Sequence, residues 1–281
     1  MIMPAIGYHT DAFNSANWNF EQCVKWSKDH GLEYIECGAI DGVAYIQALG
    51  FYPHVSLTDD PARIRKMMDQ YGVRFSQLDA AFPLNRMDGL TLGVQYVCNA
   101  IRWAKLAGCP RIDTTDSGVK PEGQTDQEGL RILKMAYGEI LKIAEAHEII
   151  VNLEPHGVFT TKPEFVAEIM DTYKSPYFGV NMDTGNTFIS GLNPVAYVEQ
   201  FKDRINHVHI KDVSKELSDA LRGGATGIAM SHCAIGDGVN ADNIKQCVQI
   251  LLDHGYDGVF SLECDGSLLE RSLEWMRGQL Q

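Results

Sequence analysis

Four acidic or histidine side chains stand where short apolar runs of the sequence end. Glu154 follows Ile-Ile-Val-Asn-Leu, Asp183 follows Phe-Gly-Val-Asn-Met, His209 lies in His-Val-His-Ile, and Glu263 follows Val-Phe-Ser-Leu. Apolar runs of about five residues that end at Gly or Pro are typical of buried strands. Three carboxylates and one imidazole suit a fairly hard divalent ion, Mn²⁺, Mg²⁺ or Co²⁺. The pattern therefore predicts a metal site at the C-terminal end of a parallel sheet.

Each of these residues also has an ordinary structural interpretation. Asp183 precedes Thr-Gly and Glu263 precedes Cys-Asp-Gly, where acidic side chains commonly bond to the backbone of a turn. His207 and His209 are two residues apart, so both side chains face the same side of a strand. We expect His209 at the rim as a ligand. For His207, one layer deeper, a hydrogen-bonded interior role and substrate binding are the alternatives. The joint placement at four consecutive strand ends favours the metal site.

A recurring unit of helix, glycine and strand would bring these strand ends together. A Gly just past a helix fits the left-handed residue that ends it. The periodicity predicts helices at Phe20–His30, Pro61–Tyr71, Leu92–Ala107, Gln127–His147, Pro163–Tyr173, Pro194–Asp203, Asn240–His254 and Ser267–Arg277. Strands are predicted near residues 5, 34, 74, 111, 150, 178, 206 and 259. We therefore predict an α/β fold, a (β/α)8 TIM barrel that forms a single domain over residues 1–281. A doubly wound sheet would need a dinucleotide-binding glycine fingerprint, and none follows the first strand.

Two connections are too long to be simple loops. Ala39–Asp60 carries Tyr45, Phe51, Tyr52 and His54, and Val213–Val239 carries Arg222, Thr226 and His232. Both follow strand ends, so we expect both on the active face. Loops of this length are commonly lids or binding loops. The aromatic residues of the first favour a lid over an apolar or sugar-like surface.

The bulk composition limits the partners. The formal net charge of −13 opposes nucleic acid or an anionic membrane as a partner. The N-terminus lacks the basic region and long apolar core of a signal peptide, and no run approaches the ~18 apolar residues of a membrane span. Seven cysteines, an odd number with no Cys-x-x-Cys pair, predict reduced thiols. We expect a soluble cytoplasmic protein that binds a small molecule; a homo-oligomer is compatible with the sequence.

The four motifs also resemble a known family. Glu154, Asp183 in Asn-Met-Asp-Thr-Gly-Asn, His209 in His-Val-His-Ile-Lys-Asp and Glu263 in Ser-Leu-Glu are similar to the xylose isomerase-like barrel superfamily. The match is to its sugar isomerase/epimerase branch, which includes ketose 3-epimerases and inosose dehydratase. The resemblance implies a carbohydrate substrate and one divalent ion on those four residues, Mn²⁺ before Mg²⁺ or Co²⁺. It also implies that Glu154 and Glu263 remove and return a proton on opposite faces of a metal-stabilised enediolate.

Several residues depart from the epimerase pattern or extend it. Asn186 stands where ketose epimerases of this kind carry a His, and we count it among the substrate-binding candidates. His156, two residues beyond Glu154, should face the same side of the strand and act as a second acid or base. Lys211 and Arg222 would neutralise an anionic substrate or enolate, or else be solvated surface charges. The segment Lys-Asp-Val that begins at Lys211 resembles the inosose dehydratases.

The resemblance leaves two reactions open, because both begin with the same enolisation. Protonation on the opposite face gives epimerisation, whereas loss of a β-substituent gives a dehydratase or deglycosylating lyase on an inosose or 3-keto-glycoside. We favour the metal-dependent isomerase or epimerase, with the lyase as the alternative. An apurinic endonuclease of the endonuclease IV type would need further zinc-binding histidines, and Asn186 stands where one is wanted. A non-catalytic barrel subunit would be expected to lack a ligand carboxylate, and all four ligands are present.

Overall fold

Eight parallel strands form a closed barrel in a computed structural model that describes residues 4–41 and 53–281. With the short β3, which lies outside the barrel proper, the strands of the described residues are β1 Ala5–Tyr8, β2 Tyr34–Ile40, β3 Val55–Ser56, β4 Arg74–Asp79, β5 Arg111–Thr114, β6 Ile150–Leu153, β7 Phe178–Asp183, β8 Ile205–Ile210 and β9 Val259–Leu262. Their order in the sheet is β1-β9-β8-β7-β6-β5-β4-β2-β3, with the two-residue β3 attached to β2. A parallel bridge between His9 and Glu36 joins the β1 and β2 ends. The predicted (β/α)8 barrel and all eight of its predicted strands are confirmed.

Helices follow the barrel strands around the outside. They are α1 Phe20–Asp29, α2 Pro61–Tyr71, α3 Leu92–Ala107, α4 Asp126–His147, α5 Pro163–Thr172, α6 Thr184–Ile189, α7 Pro194–Phe201, α8 Lys215–Leu221, α9 Ala241–His254 and α10 Leu269–Gln279. The sequence predicted eight of these, two of them with both ends correct. It did not predict the short helices α6 and α8.

Local capping explains where the helices begin and end. Thr125 begins α4 with a capping box, in which its Oγ1 accepts from the backbone N–H of Glu128 and Glu128 accepts from the backbone N–H of Thr125. Gly72 and Gly108 end α2 and α3 in the left-handed conformation, with φ of 70° and 79°. A side chain is strained there, whereas glycine is not, so the chain can turn into the next strand.

The strands alternate between polar residues that face the barrel axis and apolar residues that face the helices. On β8, His207 and His209 face inward, whereas Val208 and Ile210 belong to the apolar core. The same alternation on other strands gives inward Glu36, Gln77, Asn152, Asn181 and Ser261. The barrel interior is therefore a hydrogen-bonded polar core, and the apolar core lies between the sheet and the helices.

The connection from Val213 to Val239 is ordered around one buried carboxylate. Asp212 Oδ1 accepts from the backbone N–H of Val213 and Asn240, and its Oδ2 accepts from that of Gly236 and Gly238, all at 2.8–3.1 Å. Asp212 thereby joins the two ends of the connection.

The first long connection is described only in part, because Tyr45, Phe51 and Tyr52 lie outside the described residues; the lid there stays a prediction. All seven cysteines are free, as predicted. No helix in the described ranges is both long and apolar enough to span a membrane.

Candidate metal centre

His209 lies between two carboxylates at the C-terminal end of the barrel. Its Nε2 is 2.9 Å from Glu36 Oε2, and its Nδ1 is 3.1 Å from Glu154 Oε1. All three side chains are at least nine-tenths buried. Burial opposes protonation of the ring, but the carboxylates of Glu36 and Glu154 outweigh it and hold the pKa of His209 well above its usual range. Each ring nitrogen therefore faces a carboxylate.

The two carboxylate oxygens of Asp183 have different surroundings. Oδ1 accepts from the backbone N–H of Gly185 at 2.7 Å and of Asn186 at 2.8 Å, and so caps helix α6. Oδ2 is buried, has no hydrogen-bond partner among the described residues, and lies 3.9 Å from His209 Nδ1. A buried oxygen without a donor is costly, and a bound cation would satisfy it. The capping and metal-binding interpretations of Asp183 are thus compatible, since each uses a different oxygen.

Three of the four predicted ligands form one compact group. Atoms of Glu154, Asp183 and His209 lie within 4.8 Å of one another, and the β7–β8 register pairs Asp183 with His209 directly. Two oxygens and one imidazole nitrogen form a donor set that suits a divalent ion. Glu263, just beyond β9, does not belong to this group of three. Its Oε2 is instead 3.3 Å from Lys211 Nζ.

Lys211 and Asn186 connect Glu263 with Glu154. Lys211 Nζ donates to Asn186 Oδ1 at 3.3 Å, and Asn186 Nδ2 donates to Glu154 Oε1 at 3.3 Å. Lys211 is only 6% exposed, so it is not the solvated surface charge that the sequence left open. Burial opposes its charge, but Glu263 and Asp183 outweigh burial and raise the pKa of Lys211 above its ordinary value. A positive charge is therefore fixed beside the candidate ligands.

His207 occupies the interior position and not the rim. It is fully buried, and its Nδ1 lies 3.0 Å from Asn181 Oδ1 and 3.2 Å from Gln77 Nε2. Burial lowers the pKa of His207 to about 3, so the ring is neutral near pH 7. Of the two roles open for His207, the structure favours the hydrogen-bonded one over substrate binding, because the side chain is enclosed.

The structure corrects the expected placing of His156. Strand β6 ends at Leu153, so His156 lies in the following loop and strand alternation does not set its direction. Its backbone N–H donates to Thr160 Oγ1 at 3.0 Å, and its Nδ1 is buried without a hydrogen-bond partner in the described part of the chain. This unused nitrogen keeps His156 a candidate acid or base.

Arg222 is not brought into the cluster. It is exposed, its guanidinium carbon lies 3.7 Å from the centre of the Phe188 ring, and Nη1 donates to the Phe188 carbonyl at 2.6 Å. The described contacts of Arg222 therefore hold the connection after β8 against helix α6. The sequence expectation that it contacts an anionic substrate has no support from these contacts.

Three acidic residues of the site were not predicted. Glu36 on β2, Asp79 at the end of β4 and Asp113 on β5 lie in strands that otherwise look buried. Burial is the largest cause that raises the pKa of Asp79 to about 6, and it also raises the pKa of Asp113 well above its usual range. The signal in the sequence that could have found them is a charged residue inside an otherwise apolar strand.

A cavity of about 870 Å³ opens at the mouth of the barrel on the β2 and β4 side. Its lining combines the carboxylates of Asp11, Asp41 and Asp79 with the side chains of Phe82 and Tyr96. The described lining contains no Lys or Arg, and the sequence of residues 42–52 has neither. A smaller cavity shares Asp11 with it and is lined by Lys211 and Glu263. The large cavity thus adjoins the candidate metal centre.

Comparison with known proteins identifies the family. A family model described as a xylose isomerase-like TIM barrel matches residues 24–279. The chain belongs to this family. It is 29% identical to inosose dehydratase of Serratia proteamaculans (strain 568) over 275 residues, which cover 88% of this chain and 82% of the relative. A match to inosose dehydratase of Bacillus thuringiensis (strain Al Hakam) spans only 37% of that relative. The predicted family is confirmed.

Solved structures show the same fold. A D-tagatose 3-epimerase-like protein is 21% identical, with a TM-score of 0.77 over 98% of this chain and 97% of that one. The IolI protein, solved with a bound zinc atom, is 17% identical, with a TM-score of 0.77 over 98% of both chains. These likenesses confirm the barrel, and the matched proteins include one named as an inosose dehydratase and one named as a D-tagatose 3-epimerase-like protein.

Proposed function

We propose that the protein is a metal-dependent isomerase or epimerase that enolises a keto sugar. The observation that carries the proposal is the grouping of Glu154, Asp183 and His209 at the C-terminal end of the barrel, where each offers a ligand atom within 4.8 Å of the others. Glu263 is paired with Lys211, which contacts Glu154 through Asn186. Sites of this kind at the C-terminal end of barrel strands are where TIM-barrel enzymes carry their chemistry.

The side chains fit one divalent ion. The buried Asp183 Oδ2 without a donor is the strongest sign of it, and Glu154 and His209 add an oxygen and a nitrogen within ligand spacing. We propose that Glu263 is the fourth ligand and that Mn²⁺ is the ion, with Zn²⁺ as the competitor suggested by the IolI structure. When bound, the ion would act as a Lewis acid that stabilises negative charge on a ketone oxygen.

The two glutamates would move the proton. Glu154 follows β6 and Glu263 follows β9, and these strands are not neighbours in the sheet, so the two carboxylates extend from different sides of the barrel mouth. One glutamate takes the proton from the carbon next to the ketone, and the other returns a proton to the opposite face, which inverts that carbon. Lys211 would offset the charge of the enolate, because its ammonium group is already fixed between Glu263 and Asn186.

The cavity supports a neutral polyol as the substrate. Its carboxylates, Asp11, Asp41 and Asp79, can accept hydrogen bonds from sugar hydroxyl groups, and Phe82 and Tyr96 can pack against a sugar ring. A phosphate or carboxylate group in this cavity would meet three carboxylates, and the basic side chain in the described lining, His54, is already paired with Asp11 at 3.1 Å. We therefore propose an unphosphorylated keto sugar.

A lyase is the second candidate, and one specific observation favours it. The relative that matches along 88% of this chain is an inosose dehydratase. Elimination needs a group that protonates the departing hydroxyl or alkoxide after enolisation. His156 has a buried nitrogen without a partner in the described structure and belongs to the loop directly after Glu154. It is the acid that we propose for this variant of the reaction.

Proton exchange and product identity test the proposal together. The Mn²⁺-loaded enzyme is incubated in D₂O with ketoses, inososes and 3-keto-glycosides and followed by NMR. Deuterium at the carbon next to the ketone with inverted configuration supports the epimerase, whereas loss of a substituent supports the lyase. Absence of both exchange and product across the panel would contradict enolisation of these substrates.

A matched control separates the site from general damage. Glu154→Gln should lose exchange, whereas Glu139→Gln, which changes an exposed glutamate paired with Lys142 on helix α4, should keep it. Equal activity of both variants would refute the role of Glu154.

A further inference from the structure

We infer that Glu36 is a positioning residue for the proposed metal centre: it holds the ring of His209 so that Nδ1 faces the ion. The inference rests on the metal proposed above and assigns a function to a residue of the opposite part of the barrel. Glu36 lies on β2, which is not a neighbour of β8 in the sheet, so its contact with His209 crosses the barrel interior.

Glu36 is itself held by donors from other strands. Its Oε1 accepts from Gln77 Nε2 on β4 at 2.9 Å, and its Oε2 accepts from Ser261 Oγ on β9 at 2.7 Å. Asn152 Nδ2 donates to Gln77 Oε1 at 2.6 Å and so fixes which end of the Gln77 amide faces Glu36. The carboxylate is fully buried. Its position is therefore determined by the barrel and not by the ion.

This arrangement would set the tautomer of His209 once an ion binds. Without an ion, Glu36 Oε2 lies 2.9 Å from Nε2 and Glu154 Oε1 lies 3.1 Å from Nδ1, and a carboxylate only accepts hydrogen bonds. An ion on the side of Glu154 and Asp183 Oδ2 would take the lone pair of Nδ1, so the single N–H of the neutral ring would stay on Nε2 and donate to Glu36. Metal-binding histidines in proteins commonly donate their other N–H to a carboxylate, and the partner orients the ring. Glu36 has the geometry of such a partner.

A direct metal-binding role for Glu36 is the competing interpretation. Atoms of Glu36, His207 and His209 also lie within 4.8 Å of one another. However, both oxygens of Glu36 already accept hydrogen bonds, whereas Asp183 Oδ2 is buried without a donor among the described residues and lies 3.9 Å from His209 Nδ1. That free oxygen favours one ion on the Nδ1 side of His209, with Glu36 behind the ring.

The test measures metal affinity and the proton on His209 directly. Co²⁺ is titrated calorimetrically into the metal-free wild type, Glu36→Gln and Asp116→Asn. Glu36→Gln keeps the shape of the side chain but removes its charge, so we expect affinity to fall by about 10- to 100-fold with one ion per chain unchanged. Asp116→Asn removes another buried carboxylate, whose described hydrogen bonds are to Phe159 and Thr160, and should bind Co²⁺ within about threefold of the wild type.

Long-range ¹H–¹⁵N NMR of the Zn²⁺-loaded wild type supplies the second measurement. We expect Nε2 of His209 to carry the proton and Nδ1 to show the metal-bound shift. A metal-bound Nε2 would overturn the inference. So would wild-type affinity in Glu36→Gln, or two ions in the wild type and one in the variant. If the wild type binds neither Co²⁺ nor Zn²⁺, the proposed metal centre itself is refuted. If the wild type and Glu36→Gln bind the ion equally well, only the role of Glu36 is refuted.

Discussion

The two sides of the barrel mouth differ in how their acidic groups are used. On the β6–β9 side, Glu154 and Asp183 form a compact buried group with His209, and Glu263 is paired with the buried Lys211. On the β1–β4 side, Asp11, Asp41 and Asp79 line an open cavity together with aromatic side chains, and Asp11 is paired with His54. We call these the metal side and the cavity side. Carboxylates of the first kind suit an ion, and those of the second suit hydroxyl groups.

The difference suggests a division of labour within one site. The metal side would carry the chemistry, because its groups are fixed before substrate arrives and include a buried lysine. The cavity side would select the substrate. Variants of the same chemical type on the two sides should therefore have different effects, on metal binding and turnover in one case and on substrate affinity in the other.

The largest expected difference is between Asp183→Asn and Asp79→Asn. Asp183→Asn places an amide where the ion needs a carboxylate oxygen. Loss of a residue that only orients a metal ligand typically lowers metal affinity by about 10- to 100-fold, and loss of the ligand Asp183 should lower it further. Asp79→Asn should bind metal within about threefold of the wild type and raise the KM, because Asp79 lines the cavity. Calorimetry and steady-state kinetics check both. Loss of metal from Asp79→Asn would remove the distinction between the sides.

Substitution of Lys211 should reduce turnover without loss of the ion. Lys211→Met keeps most of the buried volume but removes the charge beside Glu263, so we expect kcat to fall by about 10²- to 10³-fold, as when one group that stabilises an oxyanion is lost. Metal content, measured on the same sample, should stay at the wild-type value. A near-wild-type kcat would show that Lys211 serves only to neutralise Glu263.

Filling the cavity should affect substrate binding alone. Ala81 lines the cavity next to Phe82, and Ala81→Phe would occupy space that the sugar needs. We expect the KM to rise about tenfold, equivalent to about 1.4 kcal/mol, with kcat and metal affinity changed little. An unchanged KM would mean that the substrate does not extend into this cavity.

The smallest effect is expected from Arg222→Ala. The guanidinium packs on Phe188, so its loss should lower the free energy of unfolding by about 0.5–1 kcal/mol, the range for an exposed cation–π contact. The kcat/KM should stay within about twofold of the wild type, which is too small a change to indicate a lost contact with the substrate. A KM that rises tenfold or more would instead restore the sequence expectation that Arg222 binds substrate.

Much of the fold was predictable because its signals are local. Capping residues and left-handed glycines such as Gly72 and Gly108 mark helix ends within a few residues, and apolar runs mark the strands. Helix α8 was missed although Ser214 carries an ordinary capping signal, its Oγ accepting from the backbone N–H of Leu217 at 3.1 Å. The long polar stretch around it resembled a loop.

The site was predictable only where it follows strand ends. Asp183 and His209 could be paired because both end neighbouring strands, and the register places them side by side. The contact between Glu36 and His209 joins residues 173 positions apart across the barrel, and no periodic pattern in the sequence predicts it. The burial of Lys211 was equally hard to predict, since it depends on contacts with Glu263, just beyond β9, and with Asn186 on helix α6.

The central claim is that one divalent ion binds on the Nδ1 side of His209. Anomalous X-ray diffraction at the manganese edge from crystals grown with Mn²⁺ tests it most directly. We expect a single peak within bonding distance of Glu154, Asp183 Oδ2 and His209 Nδ1, with Glu263 turned towards it. No peak at full metal loading, or a peak between Glu36 and His207, would contradict the account.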